Sequence, residues 1–145
     1  HCNRITSTAC SADKNLIVTA DSGQDSMLVI WDSIWGTPKR TYFTPHENGV
    51  IYLDISPDSN YVVTLSNCIP QTISIWEINN EERIEPLVTT TFTSNKAKMQ
   101  HDVRFNTHQI QDIVTTGKSN VVFFNWLVKD SDFVYYEPNI TKNAF

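Results

Sequence analysis

The sequence predicts an all-β fold of three repeated four-stranded antiparallel units. Three observations carry this. Runs of about five apolar residues alternate with turn clusters, and no 3.6-residue periodicity interrupts them. The stretch Leu28-Val29-Ile30-Trp31-Asp32 returns as Ile73-Ser74-Ile75-Trp76-Glu77, and more loosely as Phe123-Phe124-Asn125-Trp126-Leu127. Twenty residues before each Trp stand Ser11, Ser56 and Asn106, each opening a turn, and thirty before the first two stand His1 and His46. Coincident offsets of this kind mark a repeat.

The first unit, residues 1–43, holds strand patterns at 5–10, 16–20, 27–32 and 40–43. Ser11-Ala12-Asp13-Lys14, Asp21-Ser22-Gly23-Gln24-Asp25 and Gly36-Thr37-Pro38 supply the turns between them. In the second unit, residues 46–92, Ile51, Leu53 and Ile55 alternate with Tyr52, Asp54 and Ser56, the period of a strand with one buried face. Strands follow at 61–65, 73–76 and 87–92, with residues 79–85 a solvated connector rich in glutamate. The third unit, residues 101–137, fits strands at 103–105, 112–116, 121–127 and 133–136, and residues 138–145 open a further unit. The Trp spacing is 45 and then 50 residues. A closed ring of such units needs roughly 4 to 8 of them, so the chain is expected to be a piece of a longer protein forming part of one domain.

A net charge of −5, with 19% charged residues, leaves no polybasic face for nucleic acid. No apolar run reaches the roughly 20 residues of a membrane span. Cys2, Cys10 and Cys68 form no CxxC pair, so buried reduced thiols and a cytoplasmic setting are expected. Gly117-Lys118-Ser119 ends like a phosphate-binding loop, but Asp112 stands where that loop needs glycine and a strand follows instead of a helix. His101 and His108 lack the companions of a metal site, and no Gly-x-Ser-x-Gly elbow is present. Neither enzyme activity nor a cofactor or metal is expected.

A buried Trp brings an indole N–H that needs an acceptor. His1, Thr19 and Asp25 are expected to build a network ending on Trp31, and His46 and Thr64 one ending on Trp76. A loop His, a Ser-Pro-Asp type turn and a strand closing in Trp31-Asp32 resemble the WD40 repeat, which builds β-propellers. The resemblance implies three consecutive blades of a larger ring, with Trp126 as the third repeated Trp. Departures are Pro70 and Asn120 in place of a tight-turn Asp, and Leu127 after Trp126.

The run from Thr19 to Asp25, leading through Leu28-Val29-Ile30-Trp31-Asp32-Ser33 to Gly36-Thr37-Pro38, most resembles the WD-repeat subunits of the ciliary calmodulin- and spoke-associated complex. That implies a non-catalytic axonemal scaffold at the base of a radial spoke, with spoke-base proteins, subunits of that complex and the doublet microtubule as partners. Echinoderm microtubule-associated protein-like propellers and general cytoplasmic WD40 adaptors are the alternatives. Trp35, the one Trp off the repeat, and Lys96 and Lys98 in the polar 93–100 loop are the expected protein interface.

Overall fold

The computed structural model describes residues 1–92, 99–127 and 132–138, the side chains of Leu127 and Asp132 excepted. The strands are β1 (Ile5–Cys10), β2 (Leu16–Asp21), β3 (Met27–Asp32), β4 (Pro38–Phe43), β5 (Val50–Ile55), β6 (Tyr61–Ser66), β7 (Gln71–Glu77), β8 (Val88–Phe92), β9 (Gln100–Phe105), β10 (Asp112–Gly117), β11 (Val121–Leu127) and β12 (Asp132–Tyr136). They form three antiparallel meanders, β1-β2-β3-β4, β5-β6-β7-β8 and β9-β10-β11-β12.

Three strands, β4, β7 and β9, start two or more residues earlier than the sequence pattern suggests. β4 begins at Pro38 itself, because Pro is tolerated at the first residue of an edge strand, where no ladder N–H is required. β9 begins at Gln100, whose inward amide replaces the apolar side chain that the pattern looks for. The first hairpin of each sheet also carries an irregularity in register, between Ile5 and Ser7, Val50 and Tyr52, and Thr116 and Gly117. Such bulges bend the strand and increase its twist.

Alternation along the strands splits the middle sheet's side chains between two cores. Leu53, Val62, Trp76 and Ile78 pack with Leu16, Val18, Leu28, Ile30 and Tyr42 of the first sheet. Val63, Leu65, Ile73 and Ile75 pack with Val103, Ile113, Val122, Phe124 and Trp126 of the third. Each fully buried aliphatic side chain contributes about 1.5–3 kcal/mol, so the sheets are held together mainly by the apolar surface between them.

Polar contacts set how the sheets sit on one another. The first strands of the three sheets run side by side: β1 adjoins β5, and β5 adjoins β9. Thr6 Oγ1 donates to the Val50 carbonyl at 2.5 Å, the Leu53 N–H donates to Ser7 Oγ at 3.2 Å, and the Phe105 N–H donates to Asp54 Oδ2 at 2.9 Å. Farther out, the Arg40 guanidinium lies over the Tyr42 ring and donates to the carbonyls of Ile78, Asn80 and Arg83. The Tyr42 hydroxyl donates to Glu77 O at 2.8 Å, and its ring meets Trp76 with centroids 4.8 Å apart.

The cysteines depart from the sequence reading. Cys2 and Cys10 are exposed and Cys68 is half-buried, all three as free thiols. Cys10 ends β1 on the side facing away from the core, where strand alternation puts it in water.

Trp76 is buried between the first two sheets, whereas Trp31 is half-buried on the outer face of the first. Trp76→Ala is therefore expected to cost about 3–5 kcal/mol in denaturant unfolding, with a smaller loss for Trp31→Ala.

Candidate protein-docking site

Each sheet is braced by a hydrogen-bond network, and the three networks are built differently. In the first, Trp31 Nε1 donates to Thr19 Oγ1 at 2.8 Å, His1 Nε2 meets the same hydroxyl at 2.7 Å, and His1 Nδ1 lies 3.1 Å from Asp21 Oδ2. The acid is Asp21, at the end of β2, and not Asp25. Asp25 is exposed in the turn with φ 54°, in the left-handed region that Asp tolerates. Asp21 also accepts the Met27 N–H at 2.5 Å and so closes the β2–β3 connection.

In the second network Trp76 Nε1 donates to Thr64 Oγ1 and His46 Nε2 meets it, both at 2.8 Å. Among the described residues no carboxylate stands behind this imidazole. Ser66 Oγ takes over the turn bond, accepting the Thr72 N–H at 2.7 Å, while the Thr72 hydroxyl meets His46 Nδ1 at 2.8 Å. A hydroxyl donating to one ring nitrogen suits a neutral imidazole. Burial accordingly lowers the His46 pKa to about 4, against the raising effect of the Thr64 bond.

The third network departs furthest. Gln100 takes the place of the histidine, while His101 is exposed. Thr115 Oγ1 donates to Gln100 Oε1 at 2.9 Å, and Gln100 Nε2 donates to Asn120 Oδ1 at 3.1 Å. Gln71 joins this to the second sheet, exchanging two bonds with the Gln100 main chain at 2.7 and 3.0 Å. Trp126 is not the equivalent of Trp31 and Trp76. Those pair opposite Ile17 and Val62, two residues before their threonines, and the residue paired opposite Ile113, two before Thr115, is Phe124. A longer turn before β10 and a shorter one after it shift the register, so the offset of 20 residues from Asn106 lands two positions late. Trp126 is buried all the same, edge-on to Tyr61, and its Nε1 donates to the Ile110 carbonyl at 2.8 Å.

The turns at one end of the sheets are equally determined. Ser11 and Ser56 donate to Asp13 and Asp58 at 2.5 Å and accept the N–H groups of Leu16 and Tyr61 at 2.9 Å. The Ser11 hydroxyl bond holds the Asp13 carboxyl below its ordinary pKa. For Asp58, burial pulls upward but the Ser56 and Asn60 bonds outweigh it.

Next to the first of these turns lies the 32–37 turn. Asp32 Oδ1 accepts the N–H groups of Ile34 and Trp35 at 2.9 and 3.0 Å, and the Gly36 N–H donates to Asp32 O at 2.9 Å. Ser33 bonds through both its N–H and its hydroxyl to Asn15 and Lys14. This framework presents two large apolar side chains to solvent, Ile34 at 71% and Trp35 at 79% exposure. Exposed aromatics on a rigid base are suited to filling a partner's pocket. Lys96 and Lys98 lie outside the described residues. Among the described residues no group of three or more His, Cys, Asp and Glu could hold a metal ion. The Gly117-Lys118-Ser119 run is the tight connection between β10 and β11, closed by the Gly117 N–H to Asn120 O at 2.9 Å.

The chain is similar in sequence and in fold to known proteins. The model of the CFAP251 N-terminal domain matches residues 1–145. Cilia- and flagella-associated protein 251 of Tetrahymena thermophila is 44% identical over 144 residues, covering 95% of this chain and 14% of that protein. The protein of the same name from Chlamydomonas reinhardtii is 29% identical over 160 residues, covering 100% and 19%. The chain thus spans less than a fifth of the length of these curated relatives. Among solved structures, Kluyveromyces marxianus Hsv2 superposes with a TM-score of 0.75 at 13% identity, over 94% of this chain and 46% of that one. The Cps50 (Swd1) β-propeller domain of Myceliophteria thermophila gives 0.72 at 12%, over 94% and 40%. The fold is that of a WD40 β-propeller, and each four-stranded sheet is a blade.

Two predictions follow from the networks. An unfolded histidine titrates near 6.5, so between that pH and about 4 the unfolded chain binds a proton that folded His46 refuses. Stability is full above this window and falls as pH drops through it, by up to about 3 kcal/mol; denaturant melts at stepped pH should lose that slope in His46→Gln. Asp21→Asn should cost about 1–3 kcal/mol, and Asp25→Asn should stay within about 0.5 kcal/mol of the parent, read by the same melts.

Proposed function

The chain belongs to the CFAP251 N-terminal domain family, and from that premise we propose that it is part of a non-catalytic scaffold in the motile-cilium axoneme. In this reading it docks partner proteins at the base of a radial spoke on the doublet microtubule. The relatives carrying the name are cilia- and flagella-associated proteins, which supports a ciliary location. Residues 1–145 serve as three blades of one larger ring, with further units covering the open face of the third blade, where Val134 and Tyr136 are exposed.

The 32–37 turn is the observation that carries the docking role. Asp32 and Ser33 spend their hydrogen bonds on holding Ile34 and Trp35 out in water, an arrangement that serves no core. Its partner is a protein surface with an apolar pocket. A fragment of net charge −5 has little long-range attraction for an acidic tubulin surface, which favours a spoke-base protein as the direct neighbour.

The test is to tag the full-length protein in a ciliated cell, image it and identify what it retains. Axonemal signal with spoke-base and calmodulin-containing partners is expected, and Trp35→Ala should weaken partner retention about ten-fold without changing the melting transition. Charge reversal at Lys96 and Lys98 tests the second expected contact. Signal along cytoplasmic microtubules without spoke proteins would overturn the axonemal reading in favour of a microtubule-associated propeller.

A further inference from the structure

Six prolines punctuate the chain, and three of them follow a hydroxyl residue: Thr37-Pro38, Thr44-Pro45 and Ser56-Pro57. A Ser/Thr-Pro pair is the least that a proline-directed protein kinase reads. Such an enzyme needs the hydroxyl free, the proline uncovered and the main chain extended through both. Folding treats the three pairs differently.

Ser56 is fully buried, and its hydroxyl donates to Asp58 and accepts the Tyr61 N–H. Thr44 is exposed, but Pro45 beside it is buried, and Thr44 has φ 50°, in the left-handed region and not extended. Thr37 and Pro38 are both exposed. The residue before a proline is held in the extended region, and Pro38 opens β4, so the chain runs extended from Thr37 onward. Among the described residues no hydrogen bond engages the Thr37 hydroxyl. The residue is positioned by its main chain alone, its carbonyl accepting the Asp32 N–H at 2.9 Å.

Two neighbours give this hydroxyl a consequence. Thr37 closes the turn that holds Ile34 and Trp35 in water, and it stands two residues after Trp35. A phosphate there carries a charge of about −2 at pH 7, and an apolar pocket closing over Trp35 has to strip water from it. On the other side, Arg40 lies in the groove of about 520 Å³ between β4 and the β7–β8 connection, donating to the carbonyls of Ile78, Asn80 and Arg83. A kinase that demands a free basic residue three positions after the acceptor finds this one tied down, which favours an enzyme that reads the proline alone.

We infer that Thr37 is the phosphate acceptor for a proline-directed kinase, and that its phosphate releases the partner docked on Ile34 and Trp35. Thr37 Oγ1 attacks the γ-phosphorus of magnesium ATP. The new O–P bond forms as the bond from that phosphorus to the β,γ-bridging oxygen breaks, ADP leaves, and the hydroxyl proton passes to the kinase's catalytic aspartate. The release step rests on the reading of the 32–37 turn as a docking site; the acceptor site does not.

The experiment incubates the full-length protein with a mitogen-activated protein kinase and magnesium ATP, and maps phosphate by mass spectrometry. Within residues 1–145 it is expected on Thr37, with roughly ten-fold less on Thr44 and Ser56, which need local unfolding first. Pro38→Ala keeps the hydroxyl and should lose the modification. Kinase-treated protein should retain its axonemal partners about ten-fold less than untreated protein. Thr37→Val treated in the same way should retain them fully, which controls for phosphate elsewhere. Both positions are exposed, so these variants keep the fold, which an unchanged melting transition verifies. An unmodified Thr37, equal modification of Thr44 or Ser56, phosphate on Thr37 that survives Pro38→Ala, or equal retention before and after treatment overturns the inference. Trp35→Ala separates the two readings. If that variant keeps its partners while Thr37 takes phosphate, the docking reading falls and the acceptor site stands; if it loses them and phosphorylated protein does not, this inference alone falls.

Discussion

The apolar character of both faces of the blades is the constraint on which the rest depends. Val62 and Val63 are neighbours in one strand, both fully buried, and they serve different cores. A sheet with two such faces cannot leave either in water, so the middle blade is stable only between its neighbours. The inter-blade bonds then act on a position that burial has already selected. Asp54 shows this: burial pushes its carboxyl up, while the Phe105 and Ile55 N–H bonds and Arg104 pull the other way, a tension tolerated because the group ties β5 to β9.

Within that constraint the polar bracing is free to vary. A buried indole N–H must have an acceptor, and in the first two blades a threonine hydroxyl provides it. What stands behind the histidine differs, a carboxylate in one and a threonine hydroxyl in the other. In the second blade that hydroxyl suits a neutral imidazole. The third blade has Phe124 in the Trp position, hence no N–H to satisfy, and its threonine turns to Gln100 instead. The blade stays in register because Gln71 and Gln100 bond across the boundary.

Rigidity at the turns bears directly on docking. A side chain held out by its own main-chain bonds loses little entropy when a partner covers it. The 32–37 turn and the groove beside β4 are adjoining parts of the same blade rim, linked through Pro38 and Lys39. The first holds apolar anchors, and the second sets Lys39 and Arg40 against Glu81 and Glu85.

The strand positions and the repeat were legible in the sequence, because alternation at period two and turn-forming clusters are local properties that need no partner to be read. The Thr19–Trp31 and Thr64–Trp76 pairings were legible for the same reason, since both members sit on adjacent strands of one hairpin. Asp21 was missed in favour of Asp25 because the bend of a long turn decides which carboxylate returns to the histidine, and spacing alone carries no bend. Trp126 was misplaced because the turns on either side of β10 change length by unequal amounts, so a count of 20 residues from Asn106 overshoots the ladder position by two. Cys10 looked buried by its neighbours and is exposed by its strand's facing. That Thr37-Pro38 stays open while folding closes Thr44-Pro45 and Ser56-Pro57 was invisible to the sequence. By itself the sequence determined which segments are strands and that their apolar side chains form the core. Tertiary structure alone decided which acid, which aromatic and which hydroxyl fill the special places, because those depend on register and on the neighbouring blade.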